Sequence, residues 1–321
     1  MKVVALAGGV GGAKLAHGLY RALGPDALTV VVNTGDDFDL YGLRIMPDAD
    51  TVLYTLAGLA NPETGWGVAG DTWSALDMLG RYGAETWFRL GDRDFATHIL
   101  RTQRLREGWT PTRVLGAFAD ALGVRAALLP MCDEPVATIV QTAEGDLAFQ
   151  DYFVRRRHAD AITGVRFEGI ERASAPEGVR RAMAEADLIV FCPSNPIVSI
   201  GPILAVPGMR DLLRGAAAPR VAVSPIVSGR ALRGPADAML LALGHESSPL
   251  AVARLYADVL DGMVIDRRDA ALAPAIEALP VRVAAEDTIM GDVDARERLA
   301  HAVLTFGGAL RTTVTSCAAG R

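Results

Sequence analysis

The chain has 321 residues, 50% of them hydrophobic and 22% charged, which suffices for one large core or two modest ones and excludes a disordered or fibrous protein. Its net charge of -6 comes from 38 acidic and 32 basic residues mixed along the chain without a basic block, so nucleic acid is not the expected partner. Cys132, Cys192 and Cys317 lack the spacing of a zinc site or disulfide framework, and glycines break the apolar stretch at 3–7 before membrane-span length; reduced thiols, no membrane and a cytoplasmic location are expected.

From the N-terminus, short apolar runs at 2–7 and 28–33 read as strands. Helical periodicity follows at 50–59, 72–83, 94–107 and 112–122. The runs 136–142 and 147–154 flank the turn signal Ala143-Glu144-Gly145-Asp146 and predict a hairpin. Strands resume at 188–192, 220–223, 262–265 and 281–284, each followed by a polar or glycine-rich turn. This alternation predicts an α/β protein with a mainly parallel sheet, a core from about 1–45 and 165–321, and a mostly helical insertion at about 46–164. No linker divides these parts, and ligands should gather at the C-terminal ends of the strands.

The stretch Gly8-Gly9-Val10-Gly11-Gly12-Ala13-Lys14 falls where the first strand turns into a helix. Glycines there let backbone N–H groups approach a phosphate, and the helix N-terminus adds a favourable dipole. It is not a P-loop, because Ala13 precedes Lys14 and Leu15 follows it. Nor is it the dinucleotide fingerprint, because Lys14 takes the third glycine position and the second strand ends in Asn33. A tight turn without ligand is the plain alternative.

Five acids then crowd into Asn33-Thr34-Gly35-Asp36-Asp37-Phe38-Asp39 and Pro47-Asp48-Ala49-Asp50-Thr51. Carboxylates at strand ends suit Mg²⁺, which takes oxygen ligands and shares them with substrate phosphates. Taken singly, each acid fits a helix cap or a solvated face equally well; their crowding favours the ligand role. Arg89-Leu90-Gly91-Asp92-Arg93-Asp94, with Thr97 and His98 behind it, fits either a local ion-pair network or an arginine clamp for an oxyanion. His98 alone is a weak candidate, and no Ser/His/Asp or Cys/His arrangement points to covalent chemistry. Finally, Pro193-Ser194-Asn195-Pro196, followed by Ser199 and Gly201, and Ser224-Pro225-Ile226-Val227-Ser228-Gly229 are polar loops after strands, fit for nucleotide contact or for plain turns.

Together with Val52-Leu53-Tyr54, Pro130-Met131-Cys132-Asp133-Glu134-Pro135 and Ser199-Ile200-Gly201-Pro202, these stretches resemble the 2-phospho-L-lactate transferases of coenzyme F-420 biosynthesis, through nearly the whole chain. The resemblance implies a Rossmann-like three-layer core with an inserted subdomain, a homodimer, dependence on Mg²⁺ with Mn²⁺ as a substitute, and the deazaflavin Fo as acceptor. The implied donor is a guanylyl diphosphate ester of lactate, enolpyruvate or a phosphoglyceryl-type acid, with GMP leaving and GDP as a binding analogue. By the same resemblance, Asp50, Arg89, Asp92 and Arg93 face the acceptor, while Gly9, Gly11, Gly12, Lys14, Asn33, Ser194, Asn195, Ser199 and Gly201 face the donor. Phosphoryl displacement relies on positioning and charge neutralisation. Asp36, Asp37, Asp48 and Asp50 are therefore the metal candidates, and Asp36, Asp37 and Asp50 the catalytic ones; the residues do not single out a base. Arg89, beside Trp87 and Phe88, is expected to pack its planar head against the deazaflavin ring. The competing reading is a nucleotide-sugar-binding regulator resembling the gluconeogenesis factors, without transferase activity; the Asp50-to-Tyr54 stretch, the motif at 90–94 and the loop at 130–135 stand against it.

Overall fold

A computed structural model describes residues 1–24 and 26–318, with side chains as far as Arg311. The chain opens with β1 (Val3–Ala7), α1 (Gly9–Ala22) and β2 (Leu28–Val32), then a hairpin of β3 (Phe38–Leu40) and β4 (Leu43–Ile45). Helices α2 (Pro47–Leu56), α3 (Ser74–Arg81), α4 (Asp92–Arg106) and α5 (Pro111–Ala121) lead to β5 (Ala127–Pro130). Next come β6 (Ala137–Thr142), β7 (Gly145–Ala148), β8 (Ile162–Glu168), α6 (Glu177–Glu185) and β9 (Leu188–Phe191). The remainder comprises α7 (Ile200–Ala205), α8 (Met209–Gly215), β10 (Arg220–Val223), β11 (Ile226–Val227), β12 (Arg230–Ala231), α9 (Ala236–Ala242) and α10 (Pro249–Tyr256). It ends with β13 (Gly262–Asp266), α11 (Ala273–Glu277), β14 (Arg282–Glu286) and α12 (Val293–Ala318).

Seven strands form one parallel sheet in the order β14-β13-β10-β9-β1-β2-β5. Helices α1, α2, α5 and α12 cover one face with one apolar cluster, and α6 to α11 cover the other. A strand covered on both faces reads as a continuous apolar run, which is why every residue of β1 and β9 is buried. The chain winds outward from β1 through β2 to β5, then returns to β9 on the other side of β1. The loops after β1 and β9 therefore flank a topological switch point, the usual crevice for ligands in such sheets.

Three expectations change. The strand β5 lies inside the stretch 46–164 yet pairs with β2 as the edge of the main sheet, with Val30 opposite Leu128. Four residues ended by a proline are too short to show a period. The second hairpin strand stops at Ala148, because the chain coils into a π-helical turn at Asp151–Arg155, and β6 gains a second antiparallel partner in β8. The hairpin β3–β4 was also not foreseen; its turn places Tyr41 and Gly42 at positive φ, the pattern of a two-residue hairpin turn. Cys132 and Cys192 are free and buried, whereas Cys317 lies outside the described side chains. Among the described residues, no helix is long and apolar enough to cross a membrane.

Candidate functional site

The first turn of α1 packs directly against the loop after β9. A Cβ on Gly11 would lie 2.3 Å from the Pro193 carbonyl oxygen, and one on Gly12 would lie 2.4 Å from Ser194 Oγ. Gly8 N donates to Ser194 Oγ at 3.0 Å, and that hydroxyl donates to the Gly8 carbonyl at 2.8 Å. These glycines are thus required by protein packing at the switch point, whatever else they contact. Asn195 holds its own loop, its Oδ1 accepting from Ile197 N at 2.9 Å. Gly201 sits close under Pro196 and Phe167, and the Ser199 side chain abuts Gly8. Asn33 ties the two sides together, donating from Nδ2 to Asp48 Oδ2 at 2.9 Å and to the Val198 carbonyl at 3.1 Å.

Asp48 itself reaches the N-terminus of α1, where the Gly9 N–H donates to its carboxylate. A side-chain carboxylate therefore occupies part of the place where the sequence reading put a phosphate. Asp36 and Asp37 join it, and all three are buried. Burial raises the Asp36 carboxyl well above its ordinary range, with the neighbouring Asp48 charge adding to the effect. Burial likewise raises Asp37, although the Arg44 guanidinium at 3.6 Å opposes it. Burial pushes Asp48 up to about 6, against the hydrogen bonds from Asn33 and Gly9. One oxygen each of Asp36 and Asp37, Oδ1 in both, is buried without a hydrogen-bond partner. A buried carboxylate oxygen without a partner is costly, and a hard divalent cation is one partner whose chemistry fits it. A cavity of ≈ 180 Å³ opens beside Asp37, with Thr34, Arg44 and Cys132 on its wall. Burial pushes the Cys132 thiol up to about 12, which keeps it protonated near neutral pH.

Asp50, two residues from Asp48, lies in different company. Arg101, fully buried, grips both its oxygens with a guanidinium fork. Arg101 Nη1 also lies 3.2 Å from His98 Nδ1; a guanidinium only donates, so Nδ1 accepts. On its far side His98 Nε2 is 3.3 Å from Asp94 Oδ1, and Tyr54 donates to the same oxygen at 2.8 Å. Ligand atoms of Asp50, Asp94 and His98 lie within 4.8 Å of one another, the grouping of a metal site, but the Arg101 fork already holds Asp50. The sequence reading missed Arg101 altogether, because on α4 it stands among Arg93, Arg104 and Arg106 with nothing to distinguish it.

The remaining acceptor candidates sit at the start of α4. Asp92 accepts from Thr72 Oγ1 at 2.5 Å and from the N–H groups of Ser74 and Ala75, so it caps α3, and its carboxyl is held below the usual range chiefly by Thr72. Asp71 returns the favour to α4, accepting from Arg93 N and Asp94 N. The Arg93 guanidinium donates to the Ala69 carbonyl at 3.4 Å. Arg89 is exposed and lies 4.3 Å from the centre of the Trp73 ring, on the wall of a recess of ≈ 390 Å³ formed with Leu76, Asp77, Gly80 and Thr86. The neighbouring Trp87 and Phe88 turn the other way, packing on Phe38. Lys14 donates to the Met290 carbonyl at 2.9 Å.

Comparison with known proteins bears on this arrangement. A family described as 2-phospho-L-lactate transferase CofD matches residues 3–303. A protein of Kitasatospora aureofaciens named phosphoenolpyruvate transferase is 44% identical, over 97% of this chain and 99% of its own. One of the same name from Mycobacterium avium is 40% identical, over 96% of this chain and 99% of its own. Among solved structures, a upf0052-family protein of Bacillus halodurans superposes with a TM-score of 0.63 at 15% identity, covering 94% of this chain and 98% of that one, which is a likeness of fold. A site rich in carboxylates and cations and poor in nucleophiles is what phosphoryl chemistry needs, and the match runs the length of the sheet that builds it: the chain belongs to the 2-phospho-L-lactate transferase family of coenzyme F-420 biosynthesis.

Proposed function

We propose that this transferase moves a phosphoenolpyruvyl group from its guanylyl diphosphate ester to the ribityl hydroxyl of Fo, forming a dehydro form of coenzyme F-420-0 and releasing GMP. The observation that carries the reading is the buried trio Asp36, Asp37 and Asp48 at the switch point of the sheet, with one unpartnered oxygen each on Asp36 and Asp37. The choice of enolpyruvate among the three-carbon acids rests on the name borne by the relatives. The family membership weighs against the regulatory reading.

In this reading the hydroxyl oxygen forms a bond to the phosphorus bearing the acid, the bond from that phosphorus to the GMP oxygen breaks, and the hydroxyl proton passes to a carboxylate. Asp36, Asp37 and Asp48 would hold Mg²⁺ or Mn²⁺, which supplies neutralisation of phosphoryl charge when bound. Arg101 keeps Asp50 fixed at the wall of the site, and Arg89 with Trp73 offers a flat cationic and aromatic surface to the acceptor ring. Guanine is preferred over adenine, and the unit is a cytoplasmic homodimer, as the family resemblance implies.

The test supplies the purified chain with Fo, Mg²⁺ and the lactyl, enolpyruvyl and phosphoglyceryl donors side by side, with mass spectrometry of the products. The enolpyruvyl donor is expected to give the highest kcat/KM and GMP in equal amount. No product from any donor would sink the reading; a faster lactyl donor would overturn only the choice of acid.

A further inference from the structure

Beyond the carboxylates, the described residues hold a concentration of positive charge with no ion-paired acid. Val10, Lys14 and Gly18 recur every four residues, on one stripe of α1. At the first end, Gly65 is wedged between Val10 and the Arg233 guanidinium: a Cβ there would lie 2.7 Å from Val10 Cγ1 and 2.9 Å from Arg233 Nη1. At the other end α12 crosses so closely that a Cβ on Gly18 would lie 2.2 Å from the Arg296 carbonyl oxygen. Lys14 stands between the two arginines, and both repel its ammonium.

Among the described residues, none of the three has a carboxylate partner. Lys14 donates to the Met290 carbonyl, Arg233 donates to the carbonyls of Thr64 and Glu63, and Arg296 Nε is buried without a partner. Asp292, the acid whose charge is felt by Arg296, turns its Oδ1 to the Ala295 N–H at 2.7 Å. Glu297 pairs with Arg21 instead. His17, one turn beyond Lys14, is kept neutral, its pKa pushed down to about 4 by burial and by Arg296. Three clustered like charges with only carbonyl partners oppose folding, and an anion of charge two or more removes that opposition.

We infer that Lys14, Arg233 and Arg296 form an anion subsite for a diphosphate, beside the glycine turn. The inference rests on the transferase reading for the identity of that diphosphate, the one within the guanylyl donor, and adds Arg233 and Arg296 to its binding. It also answers the placement of Asp48: with a carboxylate bonded to the Gly9 N–H, the N-terminus of α1 is a poor seat for phosphate by itself, and cations one turn along the helix supply the attraction. Arg233 further ties the ligand to the 61–67 loop, whose carbonyls it already holds, so diphosphate binding should also steady that loop.

Isothermal titration of the whole chain with GDP and with inorganic pyrophosphate, in saturating Mg²⁺, tests the subsite. Arg233→Gln, Arg296→Gln and Lys14→Gln are each expected to weaken binding about tenfold, as loss of a charge-assisted hydrogen bond does, and to flatten the dependence of affinity on salt. Their unfolding midpoints without ligand should not fall, since each removes a repelling charge; should Arg296→Gln fail to fold, exposed Arg233 carries the test. A parent that binds neither probe, or variants that bind as the parent does, overturns the inference. Transfer to Fo by the parent alongside undiminished binding in all three variants would sink the subsite and leave the transferase standing. Weakened variants with a parent that transfers nothing would do the reverse.

Discussion

Two groups of buried acids lie side by side in this molecule, and they have opposite fates. Asp50 and Asp94 are answered, the first by the Arg101 fork and the second by Tyr54 and His98. Asp36 and Asp37 are answered only in part, since one oxygen of each is buried without a hydrogen-bond partner, and Asp48 beside them accepts from Asn33. Asp48 and Asp50 stand two apart on α2, and a helix turns residues at that spacing to nearly opposite sides. One therefore meets the start of α1 and the other meets α4. The paired group gives the wall its rigidity, and the unpaired one is where folding has left charge to be used by a ligand.

The largest effect separating the groups is expected at Arg101. Arg101→Met would leave Asp50 buried and uncompensated, at about 3–5 kcal/mol of unfolding free energy in urea titration. Pairing it with Asp50→Asn should recover most of the loss. A single variant within 1 kcal/mol of the parent, on the order of an exposed pair, would erase the contrast.

The unpaired group has the opposite sign. The folded pKa of Asp48 lies above its ordinary value of 3.8, so the folded state keeps the proton longer than the unfolded chain does. Its stabilising contribution is present below that ordinary value and is lost as pH rises through about 6, a change of about 3 kcal/mol at most. Because a metal needs the ionised carboxylates, the rise in melting temperature given by Mg²⁺ should be larger near pH 7.5 than near pH 5. An equal rise at both would remove these acids from metal binding. Slightly smaller is the expected effect of Asp36→Asn, a loss of about 100-fold in transfer rate with little loss of stability, since the carboxyl it replaces is buried with one oxygen unpartnered.

The contrast was only half visible in the sequence. β1, β9 and the glycine turn announced themselves, because a strand buried on both faces leaves a solid apolar run and glycine punctuates it. The crowding of Asp36, Asp37, Asp48 and Asp50 was also plain. Their sorting was not, because Arg101 is indistinguishable from its exposed neighbours on a helix of mostly polar residues until α2 is packed over it. β8 escaped notice for a related reason: its outward Arg166 pairs with both Glu168 and Asp146, and the alternation these residues leave is weak. The glycines at 11 and 12 were singled out as phosphate contacts, yet the neighbours their missing side chains admit are Pro193 and Ser194, which a strand-order reversal brings beside them.

Arg89 offers the finest distinction, since it belongs to neither group of acids. Its guanidinium lies over the Trp73 ring at the mouth of an open recess, with no carboxylate among the described residues holding it, so its contact with tryptophan contributes about 0.5–1 kcal/mol to stability. A residue kept for stability would register that loss in unfolding and leave the kinetics alone. One kept for the acceptor would do the reverse: Arg89→Ala should raise KM for Fo about tenfold while the affinity for GDP stays as it was, because the removed group meets only one of the two substrates. Arg89→Lys should recover part of the charge but little of the KM, since an ammonium cannot lie flat on a ring as a guanidinium does. Trp73→Leu, which takes away the surface on which Arg89 rests, should move the same KM in the same direction by less. Unchanged KM in Arg89→Ala, with the fold intact, would return this arginine to the surface and leave the recess beside Trp73 without a role.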